Sequence, residues 1–471
     1  MGYRIEILLL SAFVIETDFS ASKLLEHCHQ LEAPALFYSG TSGGDERSPT
    51  KSAFAILGCF PDQHIQAHTP NELKQLLTDL QSVTPSHGHN RGTFRDTLRD
   101  TLRDTFQSGW AGYFSYDAGH ALMNLPTAPG ETPLAEFYNY PLTLRLDLQT
   151  DHCQLQNPRG LPEQHVASFI NQITRCLNCH CDSSSNSSTD ALQPSSLIWS
   201  PHWTQTEYDQ AFERVQAYLH SGDAYQVNLA MSFHCADDLR GISPHALLTH
   251  FNAPFSGYFR TPNLTLFSVS PERFIQVSEQ HITTSPIKGT IPRGKTPEED
   301  QANRTWLKNS QKNRAENLMI VDLLRNDIGR SAQTGSVNVT RLFDIEPHAN
   351  VHHMVSTIEA NKQPELSPLE VIINAFPGGS ITGAPKRRAM EIITELESGP
   401  RGLYCGSFGY LDDSGLTDFN ILIRSITATE QGATCWGGGG LVADSTARDE
   451  YDEIHGKIDR ILEMPITRTP D

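Results

Sequence analysis

Lys288 stands in the run ITTSPIKGTIPR, residues 282–293, just after a β-branched stretch. Ile282, Thr283 and Thr284 favour a strand, and Pro286 holds Ser285 extended, so the strand is expected to persist until Gly289 releases it into a turn. An amine held where a rigid strand meets a flexible exit can act as a nucleophile. The same placement is equally compatible with an ordinary lysine at an exposed sheet edge. Downstream, Glu450, Glu453 and Lys457 share one face of a helix predicted over 447–462. A solvated Glu-Lys pair four residues apart is one reading of that face. Against it, the helix soon follows Trp436-Gly437-Gly438-Gly439-Gly440, read as a loop whose backbone permissiveness needs a purpose. A second glycine-containing loop, 378–384 (GGSITGA), feeds a helix at Pro385, where free N–H groups can cradle an anion.

The elements that must hold these groups can be read from their ends. Thr204 or Thr206 caps a helix starting at Gln205 and stopped by Gly222, and a strand follows at 224–230. Thr265 to Ser270 reads as another strand. Thr296-Pro297-Glu298-Glu299 and Ser367-Pro368-Leu369-Glu370 are capping boxes with proline at the first helical position, and Ser310 caps a further helix that carries Glu316. Strands are expected at 406–411 and 420–428. Earlier in the chain, 109–114 reads as a strand requiring close backbone approach, and the repeat RDTL-RDTL-RDTF over 95–106 as a helix with Leu98, Leu102 and Phe106 on one face. The segments 40–52 and 86–92 read as loops. The Ser-rich segment 181–196 (CDSSSNSSTDALQPSS) cannot contribute to a core and is expected to link an N-terminal region, 1–180, to a catalytic region, 197–465.

Composition narrows the function classes. With 471 residues, 38% of them hydrophobic, the chain has the makeup of a soluble globular protein able to bury a large core. A net charge of −19 disfavours nucleic acid and anionic membranes as partners, so any anionic ligand must meet a local cluster of cations. The apolar run 7–15 reads as a first strand and not a secretory signal, having Glu6 at its entry. Nine scattered cysteines suggest reduced thiols and a cytoplasmic location. Cys176, Cys179, His180 and Cys181 suffice in number for zinc, but the adjacent trio is hard to aim at one tetrahedral ion, so a thiol cluster at a helix end is expected.

Taken together, SGDAYQVNLA, SPERF, PIKGTIPR, AENLMIVDLLRND, HHMVSTIEA, GGSITGAPKRRAM, YCGSFGY, ILIRS and GGGGLVADS...DEYDEIHGKI occur in the order found in the chorismate-utilising enzymes. The match is dense from about 200 to 465 and sparser before, where GWAGYFSYD at 109–117 is its best piece. The chain resembles this family, and within it the branch of aminodeoxychorismate synthase component I. That resemblance implies an anthranilate synthase-like α+β fold, with large antiparallel sheets packed orthogonally between helical layers (α/β/β/α). It also implies amination of chorismate at C4 to give 4-amino-4-deoxychorismate, on the way to 4-aminobenzoate and folate.

The roles that follow are carried by the resemblance. Lys288 is the lysine that attacks C2 while the C4 hydroxyl leaves, before ammonia enters at C4. A free lysine, with a pKa of about 10.4, is roughly 1 part in 2,500 neutral at pH 7, so burial or a neighbouring cation is expected, with Arg293 a candidate. Glu272, 16 residues before Lys288, is the acid that protonates the departing hydroxyl; paired with Arg273 it would be only a surface residue. Glu316, Glu450 and Glu453 are the expected ligands of Mg²⁺, a hard ion suited to oxygen donors. Tyr404, Arg424 and the backbone N–H groups of Gly438, Gly439 and Gly440 are expected on the enolpyruvyl carboxylate, with Ser380 and Lys457 touching substrate and His353 against the ring. Lys386, after GAP, is also a family lysine. Anthranilate synthases have alanine at the position of Lys288, and isochorismate and salicylate synthases have a water-activating lysine at that of Gln226. Both positions favour C4 amination over the nearest rival, anthranilate synthase component I. No glutaminase motif is present, so ammonia is expected from a glutamine amidotransferase subunit. Relatives bind tryptophan in the N-terminal region, with a segment like Asn252-Ala253-Pro254-Phe255-Ser256 contributing, so tryptophan is an expected candidate ligand of 1–180. A non-catalytic regulatory partner and a zinc-binding interaction protein are the readings from other classes.

Overall fold

The helix ends follow their capping chemistry closely. Thr204 and Glu207 form a reciprocal box at the start of Gln205–Ser221, and Gly222 closes that helix in the left-handed region. Thr296 caps Pro297–Asn309, Ser310 caps Gln311–Gly329, Ser367 and Glu370 box Pro368–Ala375, and Thr446 caps Ala447–Leu462. The structure, a computed structural model, describes residues 14–39, 54–83, 105–127, 130–178, 197–348, 351–397 and 399–464. Residues 7–13 of the expected first strand, the segments 40–52 and 86–92, the repeat through 104, the 181–196 segment, and Cys179, His180 and Cys181 lie outside these.

Among the described residues the strands form two antiparallel sheets, of 12 and 10 strands. In the first, Ala35–Tyr38 pairs with Phe255–Arg260, followed by Thr265–Ser270, Ser425–Thr429, Gly432–Leu441 and Gln226–Cys235. In the second, Ile287–Pro292, Val351–Asn361, His281–Thr284, Arg273–Val277, Thr417–Asn420, Ser407–Asp412 and Gly109–Phe114 follow one another. Strands from both sides of 181–196 therefore enter both sheets. Three cores order the layers. Leu24, Phe169, Phe212, Ile393 and Ile458 pack helices on the outer face of the first sheet. Ile320, Leu324, Leu369 and Ile372 do so on the second. Ile56, Phe259 and Leu266 meet Tyr113, Tyr138 and Phe408 between the sheets. The fold is the expected α+β class, with helix, sheet, sheet and helix in that order.

Three local expectations change. The strand carrying Lys288 does not end at Gly289. It breaks earlier, at Ser285-Pro286, and resumes as Ile287–Pro292, where a register shift between Ile287 and Thr290 absorbs Gly289 at φ 92°. The predicted strand over 420–428 is two strands, Thr417–Asn420 and Ser425–Thr429, separated by a segment that contains Arg424 at φ 53°. The glycines 437–440 are not a loop but the middle of the strand Gly432–Leu441.

Phe408 links the two sheets: it is 2% exposed, and its ring stacks on Phe37 at 4.8 Å. Phe408→Ala is expected to lower the free energy of unfolding by about 3–5 kcal/mol in urea titration. A loss below about 1 kcal/mol would mean the layers do not depend on this contact.

Candidate active site

The strand pair Gln226–Cys235 and Gly432–Leu441 forms one wall of the site. Asn228 lies opposite Gly440, Leu229 opposite Gly439 and Ala230 opposite Gly438. The missing side chains let other groups approach. A Cβ on Gly440 would lie 2.7 Å from Gln226 Nε2, one on Gly439 2.8 Å from Glu450 Oε2, and one on Gly438 2.8 Å from Tyr404 Oη. At Gly438 a Cβ would also meet Ala230 Cβ at 2.7 Å and the Leu229 carbonyl at 2.8 Å, so glycine is demanded there by close approach and not by a turn, whereas at Gly439 and Gly440 a Cβ would displace the end of a side chain. The Gln226 amide is buried, and its Nε2 has no hydrogen-bond partner among the described residues.

Glu272 lies between two strands and is 6% exposed. Its backbone is fixed by Ser270 Oγ, which accepts from its N–H at 3.2 Å, and its carbonyl accepts from Ile421 N–H at 3.1 Å. Ser380, in the short 3₁₀ turn Gly379–Ile381, donates to Glu272 Oε1 at 3.0 Å. Burial raises the Glu272 carboxyl above its usual range, opposed by the positive charge of Lys288, the Ser380 bond, and the charges of Arg424 and Lys457. A carboxyl so poised holds its proton at higher pH than a free one. It is not paired with Arg273, which instead binds Asp418 at 3.0 Å through both Nε and Nη2.

Lys288 is half-buried, and its charge bears on three carboxylates: Glu272, Glu316 and Glu453. Arg293 is not the neighbouring cation expected for it. The guanidinium of Arg293 is engaged by Asp300, at 2.7 and 3.0 Å, and by the His348 carbonyl. Across the sheet, Thr290 pairs with His353, and Thr290 Oγ1 lies 2.8 Å from His353 Nδ1. Burial pushes His353 down to about 3, so the ring is neutral at physiological pH.

The final helix projects Glu450, Glu453 and Lys457 toward the glycine strand. Lys457 Nζ donates to the Gly438 carbonyl at 2.9 Å and to Glu453 Oε1 at 2.7 Å; Ser445 donates to Glu450 Oε1 at 2.7 Å. Burial raises Glu450 and Glu316, and the charge of Glu453 raises both further. Among the described residues no three His, Cys, Asp or Glu side chains are drawn close enough together to hold a metal as they lie. The donor set nonetheless fits a hard divalent cation, being carboxylate oxygens whose mutual repulsion a cation would relieve.

Arg424 and Tyr404 complete the cluster. Burial lowers the Arg424 guanidinium and the Glu272 charge raises it, and among the described residues no side chain or carbonyl accepts a hydrogen bond from it. A half-buried guanidinium without an acceptor suits a carboxylate ligand. Tyr404 is buried, and its ring stacks on Trp436 at 5.6 Å and 7°. Lys386 lies apart from this cluster's chemistry: it is 2.8 Å from Asp327 and from the Ala375 carbonyl, tying the 378–384 loop to the helix that carries Glu316. Thr290, Trp436 and Ser445 were not foreseen. Their signal is only proximity in sequence to Lys288, the glycine run and Glu450.

A family model described as chorismate binding enzyme matches residues 34–463. The chain belongs to the chorismate-binding enzymes. It is 43% identical over 363 residues to aminodeoxychorismate synthase component 1 of Salmonella typhimurium, covering 76% of each chain. It is 40% identical over 402 residues to the protein of that name from Escherichia coli, covering 84% of this chain and 82% of the other. Among solved structures, anthranilate synthase component I from Streptococcus pneumoniae superposes with a TM-score of 0.73 at 25% identity, over 89% of this chain and 94% of that one. The menaquinone-specific isochorismate synthase of Escherichia coli shares the fold, with a TM-score of 0.66 at 17% identity over 96% and 94%.

For a chorismate-binding enzyme the glycine wall makes a sharp test. Gly438→Ala places a methyl 2.7 Å from Ala230 Cβ and is expected to weaken chorismate binding about 10-fold or more, measured by calorimetry. Gly456→Ala, in the final helix Ala447–Leu462 and with open space around it, is expected to leave binding unchanged.

Proposed function

We propose that this chorismate-binding enzyme is an aminodeoxychorismate synthase component 1, which converts chorismate and ammonia to 4-amino-4-deoxychorismate and water. The observation that carries this reading is the buried Glu272, held by Ser380 and acted on by the charges of Lys288, Arg424 and Lys457, with no side chain or carbonyl among the described residues accepting from the Arg424 guanidinium. The Salmonella typhimurium and Escherichia coli relatives, named for this activity and 43% and 40% identical, support it.

In the proposed sequence, the neutral Lys288 amine forms a bond to C2 of the ring. The two conjugated ring double bonds each shift by one position and the C4 hydroxyl leaves as water, taking its proton from Glu272. Ammonia then bonds to C4, both double bonds return, the Lys288 amine departs from C2, and the new C4 ammonium returns a proton to the Glu272 carboxylate. Arg424 and Tyr404 hold the enolpyruvyl carboxylate with the N–H groups of Gly438, Gly439 and Gly440. Neutral His353, its Nδ1 held by Thr290, lies against the ring, and Gln226 and Lys457 border the substrate. Ser380 keeps the Glu272 carboxyl aimed. Glu316, Glu450 and Glu453 would hold Mg²⁺, which neutralises charge at a substrate carboxylate when bound.

The designation component 1 of the relatives supports a second component. We assign that role to a glutamine amidotransferase supplying ammonia. A cavity of about 140 Å³ between the sheets, lined by the rings of Tyr38, Phe106 and Phe255, by Pro254 and by the paired Arg273 and Asp418, is the place we assign to tryptophan. A cytoplasmic location agrees with unbridged thiols at the buried Cys28, Cys59, Cys153, Cys405 and Cys435. Among the described residues no helix is long and apolar enough to cross a membrane.

With ammonium, chorismate and Mg²⁺, mass spectrometry is expected to show amination at C4 by the parent enzyme and loss of that product in Lys288→Ala. Anthranilate from the parent would make the rival reading correct, and unchanged turnover in Lys288→Ala would remove the covalent role. Chelation by EDTA is expected to abolish turnover reversibly. Glu450→Gln is expected to raise the Mg²⁺ concentration for half-activity about 10-fold or more, read from a titration of rate against added Mg²⁺.

A further inference from the structure

Behind Tyr404 lies an ion pair that none of the roles above uses. Arg401 and Glu397 are 3% and 6% exposed. Arg401 Nε and Nη2 donate to the two Glu397 oxygens at 2.8 and 2.6 Å, a two-pronged pairing that a lysine cannot reproduce. Both partners reach further. Arg401 Nη2 also donates to the Asn228 carbonyl at 2.7 Å, and Nη1 to the Ile381 carbonyl at 3.3 Å. Glu397 Oε1 accepts from the Ala230 N–H at 3.0 Å. The guanidinium lies over the Tyr404 ring at 5.6 Å and over Tyr116 at 4.7 Å. The Arg401 carbonyl accepts from the Tyr404 N–H at 3.2 Å.

One buried guanidinium thus touches three parts of the site: the strand of Gln226, the turn of Ser380, and Tyr404. The other face of Tyr404 is closed by Trp436, and its hydroxyl is held against Gly438. Removing a charge from water is justified here by complete pairing, since every contact runs to a carboxylate, a carbonyl or an aromatic face. A core that needed only packing would be served as well by apolar residues of that volume. Apart from the contact to Tyr116, the additional contacts run to elements that carry proposed substrate-binding groups: the strand of Gln226, the turn of Ser380, and Tyr404.

We propose that the Arg401–Glu397 pair is a positioning unit that sets the Tyr404 hydroxyl for the enolpyruvyl carboxylate. This rests on the reading that Tyr404 binds that group. Because such a contact is made equally to bound substrate and to the transition state, its loss raises KM and leaves kcat.

The test compares Arg401→Lys, Tyr404→Phe and the double variant in steady-state kinetics with ammonium. Near-ultraviolet circular dichroism reports the Tyr404–Trp436 stack, and Ile173→Val, a core substitution in another cluster of side chains, serves as the control for general destabilisation. Arg401→Lys is expected to raise KM for chorismate on the order of 10- to 100-fold, with kcat within about 3-fold of the parent. The double variant is expected to be no worse than the worse single one, and the aromatic signal is expected to change in Arg401→Lys but not in Ile173→Val. If Tyr404→Phe raises KM and Arg401→Lys does not, the positioning unit is refuted while the reading of Tyr404 stands. If Tyr404→Phe leaves KM unchanged, the reading of Tyr404 fails and takes the positioning unit with it. Additive effects in the double variant also overturn the proposal, since they would place Arg401 on a separate path. Should Arg401→Lys not fold, Glu397→Gln carries the same comparison, because it keeps the acceptor for Ala230 and removes the charge that orients Arg401.

Discussion

The site depends on how closely two backbones and their neighbours can approach at Gly438, Gly439 and Gly440. Three functional groups from three different elements, Gln226, Tyr404 and Glu450, occupy the space where Cβ atoms would otherwise stand. Such space costs conformational entropy, because glycine loses more freedom on folding than any other residue. Here the strand ladder with Gln226–Cys235 offsets that cost and fixes the register. A slip by one residue would send every side chain of the wall to the opposite face.

The electrostatics of the site run against those of the surface. A chain with net charge −19 repels a dianion at long range, so binding must come from cations that are sheltered and close. Lys288, Arg424 and Lys457 all bear on Glu272, a single buried carboxyl. Burial and positive charge act on Glu272 in opposite directions, and burial prevails. That balance raises the Glu272 carboxyl above its ordinary value, the direction that the proposed role as proton donor to a leaving hydroxyl requires.

The layered architecture explains why these groups hold still. Helices cover both outer faces, and the two sheets share an aromatic core, so neither the Lys288 strand nor the glycine strand is free to tilt alone. Lys386 with Asp327 and Arg401 with Glu397 add buried ionic ties between elements that carry site residues. Each tie also engages backbone carbonyls, so it limits which conformations the 378–384 loop can take.

Local chemistry was legible in the linear chain wherever one residue's side chain acts on its own neighbours. The caps at Thr204, Thr296, Ser310 and Ser367 and the bounds of Ala447–Leu462 are of that kind, because a cap bond spans only three residues. The ordered motifs also singled out Lys288, Glu272 and the carboxylates as a set to be proposed for the site. What the chain alone did not determine is everything that depends on contacts across the fold. The glycine run reads as a loop until its partner strand is seen, since pairing and not propensity makes it extended. Arg293 looked like the cation beside Lys288 because it is close in sequence, yet Asp300 from the following helix takes its charge. Strands on the two sides of 181–196 interleave in both sheets, which no local periodicity records. Sequence determined which groups are present and how their own elements begin and end; only tertiary packing decided which groups face each other, because burial, register and charge pairing are properties of distant segments brought together.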